Sequence, residues 1–145
     1  MFKKILLAVD GSEESKLAES YAVELAKKFD SSITIINVVD ISLIYISGKD
    51  EKIEISDSKI REILKAESGK MLNEIKERLE KEVKEVNIVI RFGKPWNEIV
   101  EESKNYDLIV MGSRGLTGIK RILIGSNAES VLRYAKCPVL VVKKE

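Results

Sequence analysis

The feature that most constrains the fold is an alternation of short apolar runs with segments of helical periodicity along the whole chain. The runs KKILLAVD, SITIINVVD, VNIVIRF, YDLIVM and CPVLVVK are short and apolar, and most are rich in β-branched residues. These properties predict five buried strands. Because the strands are continuously apolar, the sheet needs a cover of helices on both faces, which is typical of parallel sheets.

Four helices are predicted between and after these strands. The first covers residues 12–29, where Leu17, Tyr21 and Leu25 lie at helical spacing. A long helix is predicted from residue 58 to about residue 84, a short one around Trp96 and Ile99, and a fourth from about residue 127 to residue 136. Segment 41–57 is irregular, and we interpret it as a hairpin or a mobile loop.

The order of these elements predicts the topology. Strands and helices alternate as β-α-β-α-β-α-β-α-β, and right-handed crossovers leave few arrangements. We therefore expect one domain over residues 1–145, with an α/β fold. Its doubly wound five-stranded parallel sheet would have strand order 3-2-1-4-5. Ligands of such sheets bind beyond the carboxyl ends of the strands, where the winding reverses. Here that switch point lies between Asp10 and Gly112.

Composition excludes several classes of function. The chain has 145 residues, enough for one core, and 25 basic against 24 acidic residues, which disfavours a binder of long nucleic acid. It has no histidine, so a Ser-His-Asp triad and an imidazole-based zinc site are excluded. The single cysteine, Cys137, forms no internal disulfide and fits a reducing, cytoplasmic location. No apolar run is long enough to span a membrane.

A glycine-rich stretch near the carboxyl terminus is the first candidate site. GSRGLTGIKRILIGS, which begins at Gly112 and ends at Ser126, holds four of the chain's eight glycines. Glycines permit backbone angles that let N–H groups converge on an anion, and the following helix start attracts phosphate. Ser126 and Glu129 have the spacing of a capping box, and basic side chains at Arg114 and at positions 120 and 121 add positive charge. The alternative is a plain turn followed by a helix cap.

Two well-known phosphate loops do not match this stretch. A Walker A loop requires Gly-Lys-Ser/Thr after a first glycine and four residues, and neither Gly112 nor Gly115 is followed by it. The dinucleotide signature requires three glycines after the first strand, where only Gly11 is present. Asp10 at that strand end would repel phosphate. It suits a ribose hydroxyl or a metal ion that bridges to phosphates, or else it simply caps the first helix.

The chain as a whole resembles the ATP-binding universal stress proteins. The spacing of Gly112, Gly115 and Gly125-Ser126 is similar to their motif G-2x-G-9x-G-(S/T), and the segments ILLAVDGS, INVVD, DLIVMGSRG and LIGSNAESVLRYAKCPVLVVK extend the likeness over nearly the entire sequence. The resemblance implies a Rossmann-like fold. It also implies bound ATP, AMP or ADP, with Mg²⁺ or Mn²⁺ accompanying the nucleotide.

The same resemblance implies roles for individual residues. Ala8 would line the adenine pocket, and Val38 would hydrogen-bond adenine through its backbone. Asp10 would approach the ribose or a metal bridged to the phosphates. The residues expected to flank or hold the ribose and phosphates are Met111, Gly112, Gly115, Gly125, Ser126 and Asn127. Arg114 is included as a neighbouring charge, which we interpret as a solvated loop residue whose identity varies among relatives.

Residues outside this stretch have plainer interpretations. Tyr21, Trp96 and Tyr134 are predicted to fill the core or an interface, and Cys137 to be an inert apolar residue. Strand 5 is an edge of the expected sheet, yet its run PVLVV, from Pro138 to Val142, is continuously apolar. Such an edge invites pairing with another chain. It predicts a homodimer, which the resemblance also supports.

Three functions remain open at this point. The first is a nucleotide-dependent switch in stress response or signalling, with an unknown protein partner and with 41–57 as the candidate moving part. The second is a slow Mg²⁺-dependent ATPase, for which Asp10 is the only evident general base near the phosphates. The third is a dimeric scaffold that binds no nucleotide, against which the intact glycine pattern argues.

Overall fold

The computed structural model describes residues 1–40, 54–114 and 124–144, and within them it shows one parallel five-stranded sheet. The strand order is β3-β2-β1-β4-β5, and every neighbouring pair is parallel. The predicted fold class and strand order are therefore confirmed. The strands are β1 (Lys4–Ala8), β2 (Ser32–Val39), β3 (Val86–Phe92), β4 (Leu108–Gly112) and β5 (Val139–Val142).

Helices cover both faces of the sheet because alternate residues of each strand point to opposite sides. In β1, Ile5 and Leu7 belong to one apolar cluster, whereas Leu6 and Ala8 belong to another. The described helices are α1 (Glu13–Phe29), α2 (Glu54–Leu79), α3 (Pro95–Ser103) and α4 (Ser126–Tyr134). Residues of α1 and α2 pack in the first cluster, and residues of α3 and α4 pack in the second.

The predicted bounds of the second helix were wrong at both ends. Helix α2 begins at Glu54, within the segment predicted as irregular, because residues 54–57 contain neither proline nor glycine to stop it. It ends at Leu79, where the amides of Glu82 and Val83 turn back to the Leu79 carbonyl. Val83 is thereby buried in the core. The rest of the segment predicted as irregular, 41–53, lies outside the described residues.

The aromatic residues depart in part from the prediction. Trp96 packs against the second cluster, the one that contains residues of α3 and α4. Its ring centroid lies 5.5 Å from that of Tyr134. Tyr21 and Tyr134, however, are 48% and 49% exposed, so neither fills the core. Whether they belong to an interface stays a prediction.

Cys137 lies half-buried at the edge of the second cluster, as expected of an apolar residue. Burial raises the pKa of its thiol, and the nearby carboxylate of Asp107 raises it further. None of the described helices is long and apolar enough to cross a membrane.

Candidate functional site

A cavity of about 290 Å³ opens at the carboxyl ends of β1 and β4. These neighbouring strands lead into helices on opposite faces of the sheet, since α1 packs in the first cluster and α4 in the second. The chain therefore diverges at this point, and the divergence leaves a crevice. This is the predicted switch point of the sheet.

Nine of the ten residues proposed from the sequence line this cavity. They come from four separate segments, which the sheet brings together although they are far apart in the chain. The nine are Ala8, Asp10, Val38, Met111, Gly112, Arg114, Gly125, Ser126 and Asn127. Gly115, the tenth, lies outside the described residues.

One end of the cavity is apolar. The strands contribute Ala8, Ile36, Val38 and Met111, and helix α3 contributes Pro95 and Ile99, as lining residues. Sequence reasoning missed Ile36, Pro95 and Ile99. The available signals were the position of Pro95 at a helix start after a strand and that of Ile36 two residues before Val38. An apolar pocket of this kind accepts a flat ring and excludes water.

The other end of the cavity is polar and includes the turn between β1 and α1, which satisfies its own hydrogen bonds. Asp10 Oδ1 accepts from the Ser12 amide at 2.9 Å, and the Asp10 amide donates to Ser15 Oγ at 3.2 Å. Ser12 Oγ in turn accepts from the Ser15 amide at 3.1 Å and caps α1. Gly11 adopts φ 86°, which only glycine takes readily. Asp10 thus shapes the turn and lines the cavity, whereas the cap of α1 is Ser12 and not Asp10. Its contact with a ribose or a bridged metal stays a prediction.

The start of α4 is organised differently from that of α1. Its N-cap is Gly125, and no side chain caps it. The first amide that bonds back to the N-cap carbonyl is that of Glu129, at 3.0 Å from the Gly125 oxygen. The amides of Ser126, Asn127 and Ala128 therefore have no acceptor within the helix, and all three residues line the cavity. Uncapped amides at the positive end of a helix dipole favour an anion.

This arrangement corrects the predicted role of Ser126. The sequence suggested Ser126 as the N-cap, with Glu129 completing a capping box, but Ser126 is the first residue of α4. The Glu129 carboxylate instead accepts from Arg133 at 3.4 Å on the outer face of the helix. With this shift by one residue, Ser126 is among the residues that line the cavity.

Gly112 is required by close packing rather than by an unusual backbone angle. Among the described glycines, only Gly11 and Gly93 have positive φ, so Gly112 does not use the unusual backbone angles that glycine permits. A Cβ on Gly112 would instead lie 2.7 Å from the Cβ of Glu14. The absence of a side chain lets the end of β4 touch the first turn of α1. Gly125, with φ −78°, is likewise in an ordinary conformation and donates to the Ser113 carbonyl at 2.6 Å.

Arg114 is held in place and is not a solvated loop charge. Its Nη2 donates to Glu14 Oε1 at 3.2 Å, and the two side chains are only 18% and 10% exposed. The earlier interpretation failed because the proximity of α1 to the loop after β4 depends on Gly112. Sequence reasoning also missed Glu14, because an acidic residue in the first turn of an amphipathic helix is common and suggests no special role.

Asn37 is a second residue that sequence reasoning missed. Its Nδ2 donates to the Val9 carbonyl at 2.8 Å, and its Oδ1 accepts from Ser68 Oγ at 2.7 Å. Asn37 lines the cavity, while Ser68 is buried on α2. The pair fastens α2 to the cavity wall between β1 and β2. A polar residue within the apolar run of β2 was the available signal.

The apolar wall formed by α3 is fixed by an arginine outside the cavity. Arg91 donates through Nε to Glu98 and through Nη1 to Glu102, each at 2.8 Å. The hydrogen bond that Arg91 donates to Glu98 raises the pKa of Arg91, burial opposes this rise, and the bond donated to Glu102 adds to it. The two contacts join the end of β3 to α3. They hold Pro95 and Ile99 against the cavity.

The described residues contain no group of three or more acidic or cysteine side chains that could hold a metal ion. Asp10 is the one acidic side chain among the described residues that line the cavity. One carboxylate is a sufficient protein contribution for Mg²⁺ only when phosphate oxygens and water supply the other ligands.

These features define a doubly wound α/β protein with a ligand-sized cavity at its topological switch point, apolar at one end and bounded by an uncapped helix start at the other. The family model described as the universal stress protein family matches residues 1–143. The chain therefore belongs to the universal stress protein family.

Individual relatives agree with this assignment. A universal stress protein of Methanocaldococcus jannaschii is 42% identical over 99% of this chain and 84% of its own length. The solved structure of universal stress protein UspA from Lactobacillus plantarum has the same fold, with a TM-score of 0.85, 24% identity and 97% of each chain covered. A universal stress protein family protein from Arabidopsis thaliana, solved with AMP bound, matches with a TM-score of 0.69, 22% identity, and 99% and 92% coverage.

Proposed function

We propose that this protein binds an adenine nucleotide, in the first place ATP, in the cavity between β1 and β4, and that it acts as a nucleotide-dependent switch in stress response or signalling. The observation that carries the proposal is the assembly of nine residues, named for this role from the sequence, around one cavity. Their segments meet only in the folded chain.

The apolar end of the cavity suits the base. Ala8, Val38 and Met111 present small or flexible apolar side chains from adjacent strands, and Pro95 and Ile99 close the opposite side. A purine buried there loses water from both faces, which is favourable for a mostly apolar ring. We expect the backbone of Val38, at the end of β2, to supply hydrogen bonds to the edge of adenine.

The polar end suits the ribose and phosphates. The amides of Ser126, Asn127 and Ala128, which have no acceptor within α4, the Ser126 hydroxyl and the guanidinium of Arg114 are donors on residues that line the cavity. Asp10, an acceptor, suits the ribose hydroxyls instead. Gly115 keeps its role in phosphate binding as part of the proposal. The AMP-bound Arabidopsis protein supports the proposal, since it shows that the same fold accommodates this ligand class.

A divalent cation fits this arrangement only as a companion of the nucleotide. Asp10 would provide one protein oxygen to Mg²⁺ or Mn²⁺, directly or through water, and phosphates would provide others. Bound in this way, the ion would neutralise phosphate charge. Asp10 uses one of its oxygens to hold the Ser12 amide, which fixes the orientation of the carboxylate.

Binding is favoured over turnover by the same geometry. Hydrolysis needs a group that orients water at the terminal phosphate, and the chain has no histidine. Asp10 already has a structural partner in the turn. We therefore propose that any ATPase activity is slow, and that the nucleotide acts through conformation or partner choice in the cytoplasm.

A homodimer is the second part of the proposal. Strand β5 is an edge of the sheet, and its residues Val139, Leu140 and Val141 are only half-buried in the single chain. The Pro138 carbonyl accepts from the Ile109 amide in β4, and the Val142 carbonyl accepts from the amide of Ser113, directly after β4. Since alternate residues of a strand turn their backbone groups to opposite sides, Val139 and Val141 turn theirs outward. These outward groups can pair with a second copy.

The proposal is tested by purifying the wild-type chain, identifying any nucleotide released on denaturation, and measuring ATP binding by calorimetry with Mg²⁺. We expect released adenine nucleotide or measurable ATP affinity. Gly125→Val should keep the fold, because φ −78° suits valine. It should abolish ATP affinity, because its Cβ would approach the Ser113 carbonyl oxygen to 3.3 Å and the Arg114 Cα to 3.5 Å at the cavity wall. Gly69→Ala, on α2, is the matched control and should bind as the wild type does. Unchanged affinity in Gly125→Val would place the site elsewhere.

A further inference from the structure

Glu14 is a charged residue at the start of α1 that is almost removed from solvent. Its side chain is 10% exposed, and its Oε1 accepts a hydrogen bond from Arg114 Nη2 at 3.2 Å. Moving a carboxylate out of water is unfavourable in free energy unless the carboxylate is paired. Glu14 therefore depends on Arg114 to compensate its buried charge.

The backbone of Glu14 is held more firmly than that of an ordinary first-turn residue. An ideal Cβ on Gly112 would lie 2.7 Å from its Cβ and 2.8 Å from its carbonyl carbon, so this helix turn lies directly against the end of β4. Ser12 caps the same turn through the Ser15 amide. The carboxylate thus projects from a fixed point. Arg114 carries a longer side chain and stands two residues beyond β4.

Arg114 lies beside the start of α4. A Cβ on Gly125, the N-cap of α4, would lie 3.5 Å from the Arg114 Cα, and both residues line the cavity. The planar guanidinium carries five N–H donors in a rigid fork. One edge of the fork can bond a carboxylate while another bonds an anion, which a lysine ammonium does with less geometric definition.

We propose that Glu14 is a positioning residue, which holds the Arg114 guanidinium in the orientation that contacts a phosphate of the bound ligand. The inference rests on the proposed function, because it assigns a further residue to the same site. If Glu14 has this role, it affects which nucleosides the site selects. The preference of the site for a phosphorylated nucleoside over the bare nucleoside depends on Glu14, although Glu14 itself touches no ligand.

The test compares ATP with adenosine by calorimetry on the full chain as wild type, E14Q, R114M and the double variant. We expect E14Q and R114M each to weaken ATP binding by about tenfold, the scale of one charge-assisted hydrogen bond. Adenosine affinity should stay as in the wild type, which also shows that each variant is folded. In the double variant, ATP binding should be no weaker than in R114M alone, because Glu14 acts through Arg114.

Three results overturn the inference. They are ATP affinity that is unchanged in E14Q, ATP affinity that rises in E14Q because only a repulsive charge was removed, and losses that add in the double variant. R114K is a second probe for the case in which E14Q does not fold: it should lose most of the preference for ATP, and full retention overturns the inference. A wild-type chain that binds neither ligand overturns the proposed function itself, before any variant is compared.

Discussion

Gly112 and Glu14 are in direct contact, so that a Cβ added to Gly112 would lie 2.7 Å from the Cβ of Glu14, 2.8 Å from its carbonyl carbon and 3.0 Å from the Ser15 amide nitrogen. Two of these three atoms belong to the backbone of α1, which cannot move aside as a flexible side chain can. The end of β4 and the start of α1 form one packed unit beneath the cavity.

Gly112→Ala should therefore destabilise the protein by about 1–3 kcal/mol, the usual result of overpacking, and weaken nucleotide binding. Chemical denaturation measures the first effect and calorimetry the second. Gly69→Ala, within α2, is the matched control. Its Cβ would lie 3.7 Å from Ile90 Cδ1, an ordinary van der Waals distance. Alanine there should stabilise by about 0.5–1 kcal/mol through helix propensity. Equal effects of the two substitutions would contradict the packing argument.

The link between α2 and the cavity wall makes a second prediction. Ser68→Ala removes the donor to Asn37 Oδ1, and it should lower the free energy of unfolding by about 1 kcal/mol. Asn37→Ala also leaves the Val9 carbonyl without its 2.8 Å partner and should cost about 1–3 kcal/mol. Urea unfolding of both single variants and of the double variant measures the coupling. Strictly additive losses would show that the two side chains do not interact in solution.

The edge strand gives a third prediction. Val141→Pro removes an amide that faces away from β4, so it should weaken the dimer while the monomer stays folded. Val141→Ala keeps that amide and loses a comparable part of the side chain, and it should remain dimeric. Leu140→Pro removes an amide that faces β4 and should destabilise the monomer itself. Light scattering gives the molar mass, and a Val141→Pro protein of unchanged dimer mass would rule out pairing through β5.

Cys137 gives a prediction on pH. Burial, followed by the charge of Asp107, raises the pKa of the thiol, so at about pH 8 the folded protein should react with iodoacetamide more slowly than the urea-unfolded chain. Because the folded pKa exceeds the unfolded value, the thiol's contribution to stability is complete below about pH 8.5 and is lost as pH rises through the folded pKa. Cys137→Ala should lack this decline. Equal alkylation rates in the folded and unfolded protein would show that the thiol is not shielded.

The candidate site was foreseen well from the sequence where a residue follows directly from its strand. Asp10 and Met111 lie at or just beyond the ends of apolar runs, and the ends of parallel strands meet at one edge of the sheet. Val38 was named from the resemblance to the universal stress proteins. Gly125 and Ser126 were found as a loop-to-helix boundary. Roles that depend on contacts with distant elements were missed: Asn37 lines the cavity, and its Oδ1 accepts from Ser68 on α2, which is 31 positions away in the chain.

The interpretation of single residues failed where it depended on contacts between distant segments. Arg114 looked like a solvated loop charge because nothing in its neighbourhood along the chain is acidic. Its partner Glu14 is 100 positions earlier. The need for glycine at position 112 was recognised, but its reason was a steric contact with α1 and not a backbone angle.

The sequence alone determined the element types, the parallel sheet and the order of its strands. Apolar patterning and right-handed crossovers act locally along the chain and leave few topologies. Only the tertiary structure decided that position 112 has no room for a side chain, that Arg114 is paired, and that Gly125, which has no side chain to cap α4, is its N-cap. Each of these depends on how closely two separate elements approach, and that distance is set by the packing of the whole core.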